Sequence, residues 1–128
     1  MKIYTCATYN FYSDLTIIAA NLAKVEFSEV IITEEQAKVK EFKAKSLLGK
    51  IPLLETEEGV VFESAAIAIY LARTGKSTLA GVTTFEEAQI DQWIDYTKSQ
   101  ISSRMLTIYM GVFGLAAPQE AEYNEAVK

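Results

Sequence analysis

Histidine is absent from the 128 residues, and cysteine occurs once, as Cys6. Without histidine there is no His-containing catalytic triad, no imidazole base and no imidazole metal ligand. A lone cysteine excludes an intrachain disulfide, a CxxC redox pair and a cysteine zinc site, so no metal centre is expected. Positive charge is also scarce: 12 Lys and Arg stand against 17 Asp and Glu, a net charge of −5. That balance argues against a nucleic-acid or anionic-membrane surface as the main role. The longest apolar run, Ala65 to Ala72, is eight residues long, far short of the ~20 that span a membrane. Half of the residues are apolar and 23% are charged, which is a globular composition and not a disordered one. The opening residues, Met1-Lys2-Ile3-Tyr4-Thr5, enter a strand-like run directly, and the expected compartment is a reducing cytoplasm.

What is present reads as alternating strands and helices. Ile3 to Ala7 is β-branched, aromatic or small, and is expected to be a short strand. Asp14 to Lys24 has apolar residues at Leu15, Ile18, Ala19 and Leu22, the spacing of one helical face. A second strand is expected from Phe27 or Ser28 to Ile31. Thr33-Glu34-Glu35-Gln36 is a capping-box pattern that predicts a helix carrying Ala37 to Lys43. Lysines 38, 40, 43 and 45 form its solvated face. Leu53–Glu55 and Val60–Phe62, joined by Thr56-Glu57-Glu58-Gly59, predict a hairpin. Ser64 is the expected N-cap of an apolar helix to about Arg73, closed by Gly75. A right-handed βαβ unit followed by a hairpin gives a four-stranded mixed sheet with helices on both faces, a thioredoxin-like arrangement.

After Gly75 the character changes. Lys76 to Thr83 is a small polar linker, and Thr84-Phe85-Glu86-Glu87 is a second capping box. Ile90, Trp93, Ile94, Thr97, Ile101, Met105 and Ile108 then hold one face of a long helix, which Gly111 and Gly114 should interrupt. Pro118 to Lys128 reads as the opening of another helix. Residues 1–76 carry 9 basic and 10 acidic groups, and residues 77–128 carry 3 and 7. The second part, roughly fifty residues, is too small to form a core alone. Two domains are expected, 1–76 and 77–128, with the second incomplete and the whole part of a larger two-domain unit.

The chemistry concentrates in Gly49-Lys50-Ile51-Pro52-Leu53-Leu54-Glu55 and Phe62-Glu63-Ser64-Ala65-Ala66-Ile67. A proline is tolerated at a strand start, where no ladder donor is needed. A cis bond there is expected to turn the backbone of Ile51 outward, free to pair with a short extended peptide. Glu63-Ser64 at a helix start offers a hydroxyl, backbone N–H groups and the positive helix end to a carboxylate.

These two stretches resemble the glutathione-binding half of the cytosolic glutathione transferase superfamily. The resemblance implies a thioredoxin-like N-terminal domain followed by the first part of an all-α domain. It places glutathione on Ile51, Pro52, Glu63 and Ser64, with Lys50 for the glycyl carboxylate. It also implies a sulfur-activating residue after the first strand, for which Cys6, Thr8, Tyr9, Tyr12 and Ser13 are all candidates. No catalytic residue is singled out. On its own chemistry, Cys6 reads as a small, buried apolar residue at a strand end. Phe62 to Tyr70, the Gln89…Trp93 helix and Tyr109-Met110-Gly111-Val112-Phe113-Gly114-Leu115 are similar to the transferase-like part of the elongation factor 1 gamma subfamily. That similarity implies a non-catalytic scaffold of the translation elongation factor 1 complex. Its partner would be the nucleotide-exchange subunit or a homodimer mate. The alternative is a transferase that conjugates glutathione to electrophiles. Neither reading needs a cofactor, and glutathione is a ligand or substrate.

Overall fold

A computed structural model of the chain describes residues 1–7, 10–113 and 120–127. The first compact unit is Met1–Val82 and the second is Thr83–Lys128. Unit one runs β1 (Lys2–Cys6), α1 (Phe11–Ala23), β2 (Ser28–Ile32), α2 (Glu34–Lys38), α3 (Lys40–Lys45), β3 (Leu53–Glu55), β4 (Val60–Phe62) and α4 (Ser64–Thr74). The sheet order is β2-β1-β3-β4, with β1 parallel to β2 and antiparallel to β3, and β3 antiparallel to β4. This is the expected mixed sheet.

Side-chain alternation divides the core into two layers. Ile3 and Leu54 face Ala20 of α1 and Ile67 and Leu71 of α4. Leu53 and Ile32 face Ala37 and Phe42 of the α2–α3 segment. Apolar periodicity alone assigns the wrong face to α1. The buried residues are Ser13, Thr16, Ala20 and Ala23, whereas Leu15, Ile18 and Leu22 are 44%, 55% and 59% exposed. Small residues let α1 approach the sheet and α4 closely, and the larger side chains point away. The helix also begins earlier than its apolar pattern suggests. Asn10 caps it, its Oδ1 accepting from the N–H groups of Tyr12 at 3.0 Å and Ser13 at 3.2 Å. This satisfies two of the otherwise unpaired donors of the first turn.

The capping box at Thr33 and Gln36 forms as expected. The single helix predicted after it is instead two short ones, because Val39 is extended at φ −70°, ψ 152°. Ala37 and Phe42 are both buried, and five residues apart they would face different directions on one continuous helix. The break turns both onto the sheet. Ser64 opens α4 from inside the helix, and the N-cap is Glu63. Gly75 is not a left-handed cap: its φ is −72°. What requires glycine there is space, since a Cβ would lie 2.7 Å from Ala23 Cβ and closer still to the Ala23 carbonyl.

Unit two contains α5 (Thr84–Tyr96), a π-helical turn (Thr97–Ile101), α6 (Ser102–Val112) and α7 (Glu120–Ala126). The second capping box sits one residue earlier than predicted, on Thr83 and Glu86. The expected long helix runs through the π turn without a break, but the turn inserts an extra residue and re-phases the side chains after it. Gly111 does not interrupt α6, and Gly114 and Pro118 lie outside the described residues. Among the described residues, α5, the π turn and α6 hold no buried side chain. No described helix is long and apolar enough to cross a membrane.

One polar cluster ties the end of α3 to the sheet. Lys45 Nζ and the Tyr4 hydroxyl both donate to Glu55 Oε2, at 2.6 and 2.7 Å. The Lys45 ammonium, and then the Tyr4 hydroxyl, hold the Glu55 carboxyl below its ordinary range, while Glu55 holds Lys45 above its own. A depressed carboxylate contributes stability that is complete above its unfolded value, about 4.3. That contribution is lost as pH falls through the lower folded value. The Lys45 side of the pair weakens only at the alkaline end.

Two outcomes are expected. Gly75→Ala lowers stability by about 1–3 kcal/mol in urea unfolding, since overpacking outweighs the smaller gain from a stiffer unfolded chain. Wild-type stability would leave the close approach at Ala23 without consequence. Glu55→Gln costs up to about 1 kcal/mol at pH 7, as a half-exposed pair should, and the gap from wild type narrows by about pH 3. A gap of constant size across that range contradicts the ion-pair account.

Candidate ligand-binding site

Strand register brings the sequence-predicted residues to one end of the sheet. Leu53 pairs with Tyr4 on one side and with Phe62 on the other. One step beyond these pairs lie Pro52 just before β3, Thr5 on β1 and Glu63 just after β4. Ile51, Cys6 and Ser64 follow at the next step. The β1 exit, the β3 entry and the β4–α4 junction therefore meet at the same edge. The N-terminus of α1 enters from the loop after β1.

At this end the Ile51–Pro52 peptide bond is cis. Pro52 is buried, Ile51 half-buried and Lys50 exposed. Glu63 is exposed and has φ 70°, ψ 117°, a backbone state that residues with a Cβ seldom adopt. Holding it there costs on the order of 1–3 kcal/mol. Its carbonyl accepts the Ile67 N–H at 2.9 Å, the first bond of α4. The helices α1, α2 and α5 are capped by the side chains of Asn10, Thr33 and Thr83. The N-terminus of α4 has no side-chain cap, and half-buried Ser64 sits on it. Uncapped N–H groups and the positive helix end suit a carboxylate.

The five activation candidates separate. Cys6, at the end of β1, is half-buried and not as deeply enclosed as a core residue. Tyr12 is half-buried and stacks on Phe11, with ring centroids 3.9 Å apart. Ser13 is buried on the inner face of α1, and its hydroxyl makes no hydrogen bond among the described residues. Thr8 and Tyr9 lie outside the described residues. Among the described residues, no group of three or more Cys, Asp or Glu is placed to hold a metal ion. A polar cleft of about 280 Å³ lies in the helical unit, lined by residues that include Ser99, Ser103, Arg104 and Glu125. It involves none of the predicted site residues.

Motif reading missed the side chains that shape this end without pointing to a ligand. Asn10 caps α1, and Ser46 bonds Lys50 across the loop before Pro52. Asn10 itself is a favoured N-cap residue type, but the Ser46–Lys50 bond crosses an irregular loop that no periodicity describes. Chemically, the arrangement offers the Ile51 backbone beside a cis-proline, an uncapped helix end at Ser64 and a cation at Lys50.

The glutathione S-transferase N-terminal domain family matches residues 2–73. A probable elongation factor 1-gamma 2 from Arabidopsis thaliana is 39% identical over 118 residues, covering 88% of this chain and 29% of that protein. An elongation factor 1-gamma from Prunus avium is 33% identical over 123 residues, covering 93% of this chain and 29% of that protein. The chain thus spans under a third of the length of these relatives. The crystal structure of poplar glutathione transferase F1 superposes with a TM-score of 0.84 at 21% identity, covering 98% of this chain and 62% of that one.

The positive φ of Glu63 generates a prediction. Glu63→Gly removes the Cβ strain of about 1–3 kcal/mol while adding about 0.5–1 kcal/mol of unfolded-state entropy, so stability in urea should hold or rise by up to about 2 kcal/mol. A loss larger than about 1 kcal/mol would show that the Glu63 side chain stabilises the fold by contacts of its own.

Proposed function

We propose that this chain, which belongs to the glutathione S-transferase N-terminal domain family, is a transferase-like scaffold module of the translation elongation factor 1 complex. Its binding partner in this reading is the nucleotide-exchange subunit, or a second copy of the chain in a homodimer. Residues 1–76 form the thioredoxin-like domain, residues 77–128 begin the helical one, and the compartment is the cytoplasm. The observation that carries the reading is the 39% identity over 118 residues to a protein named as an elongation factor 1-gamma. That match extends past the thioredoxin-like part into the helical unit. The helical surface supports it further. Phe85 and Phe113 are well exposed, and Phe113 stacks on Tyr109 with ring centroids 4.5 Å apart. Aromatic side chains of this kind supply much of the energy at protein interfaces.

A second reading adds glutathione as a ligand of the same chain. The observations that favour it are the convergence of Ile51, Pro52, Glu63 and Ser64 at one sheet end and the uncapped α4. In this reading the Ile51 backbone pairs with the cysteinyl residue, Ser64 and the α4 N-terminus take the γ-glutamyl carboxylate, and Lys50 takes the glycyl one. Conjugation of an electrophile would further require a group that stabilises the glutathione thiolate.

The test is co-elution of the folded chain with a purified nucleotide-exchange subunit in size-exclusion chromatography. Circular dichroism first establishes that the sample is folded. A stable complex is expected, and Phe113→Ala should weaken it by about tenfold, the effect of losing one interface anchor. Separate elution of two folded proteins, with no dimer of the chain, would defeat the scaffold reading.

A further inference from the structure

The loop that delivers Ile51 is closed by a single hydroxyl. Ser46 follows α3 directly and is 1% exposed. Its Oγ donates to the Lys50 carbonyl at 3.0 Å and accepts from the Lys50 N–H at 3.1 Å. One side chain therefore engages both backbone polar groups of the residue immediately before Ile51. The loop is pinned from within as well: the Gly49 N–H donates to the Ser46 carbonyl at 2.9 Å. Gly49 has φ 61°, and a Cβ there would come 3.2 Å from the Ala37 carbonyl. The base of the loop is held by Lys45, the neighbour of Ser46, through its ion pair with Glu55. The Ser46 hydroxyl and the Ser46–Gly49 bond act on the main chain of residues 46–50, and the Lys45–Glu55 ion pair ties the start of the loop to β3. Ile51 is the first residue beyond the clamp, and it packs against the Ile32, Ala37, Phe42 and Leu53 layer.

We infer that Ser46 is a positioning residue, which fixes the Lys50–Ile51 backbone for pairing with an extended peptide ligand. This rests on the reading of the Ile51–Pro52 and Glu63–Ser64 end as a glutathione site. The physical case is preorganisation. A backbone that must order on binding spends part of the interaction energy on its own ordering, and a backbone already held does not. A buried hydroxyl is well suited to the task, because it donates and accepts at once. Serine's short side chain also keeps both bonds within the loop.

The experiment compares wild type, Ser46→Ala and Ser46→Thr, the last of which retains the hydroxyl. Three quantities are read: amide hydrogen exchange at Lys50 without ligand, glutathione affinity by titration calorimetry, and the urea midpoint. Ser46→Ala is expected to speed exchange at Lys50 and to weaken glutathione binding by roughly tenfold, the loss of one to two net hydrogen bonds. Exchange at core amides such as Leu54 should be unchanged, and Ser46→Thr should recover most of the affinity. A shifted urea midpoint with unchanged affinity in the folded protein would make Ser46 purely structural and overturn the inference. Unchanged exchange at Lys50 would overturn it too. A wild-type chain that takes up no glutathione defeats the ligand reading itself and, with it, the positioning role. Because that outcome appears in the wild-type titration alone, it is separable from a failure of Ser46.

Discussion

The structure depends on the central placement of Leu53 and Leu54. β3 is only three residues long, yet it is paired on both edges, and these two side chains are completely buried on its opposite faces. Leu54 joins the layer under α1 and α4, and Leu53 joins the layer under α2 and α3. A shift of one residue would exchange the two faces and place Glu55 where Leu54 now packs. The same register fixes the candidate site. With Leu53 held opposite Tyr4 and Phe62, Pro52 has to stand at the edge that also receives the β1 exit and Glu63. Core packing and site assembly are one constraint here.

Much of this was legible in the sequence because it is local. The hairpin, the capping box at Thr33 and the proline at the head of β3 are set by turn and cap chemistry within a few residues. The faces of α1 were not, because two kinds of apolarity compete on that helix. Leu15, Ile18 and Leu22 dominate any hydrophobic count, but Ala20 and Ala23 decide the packing, since only small residues admit α4 and Gly75 so closely. Propensity arguments see side-chain transfer energy and do not see the distance between backbones. The break at Val39 has a similar origin: two anchors, Ala37 and Phe42, must both reach the sheet, and that is a tertiary demand.

The candidate site shows the same division. Pro52, Glu63 and Ser64 could be named from sequence because their motif is compact. Their supports could not. Ser46 acts across an irregular loop, and the Lys45–Glu55–Tyr4 cluster joins residues ten and fifty-one positions apart. Ser64 is not the N-cap that its residue type suggests. As the first helical residue behind an N-cap with positive φ, it does not spend its hydroxyl on capping. The strain is carried by Glu63, and the helix end is left open.

The residues that shape this end do so through the main chain. Asn10 starts α1, Ser46 and Gly49 set the loop, and Glu63 turns the chain into α4. Each of them stands where the chain passes from one core element to the next. An end constructed in this way is part of the fold, whether or not any thiol chemistry is performed on it. Its geometry is therefore equally compatible with a conjugating enzyme and with a non-catalytic scaffold. Discrimination has to come from features the fold does not require. The similarity that continues beyond residue 73 and the aromatic surface of the helical unit are such features, which is why the functional reading rests on them.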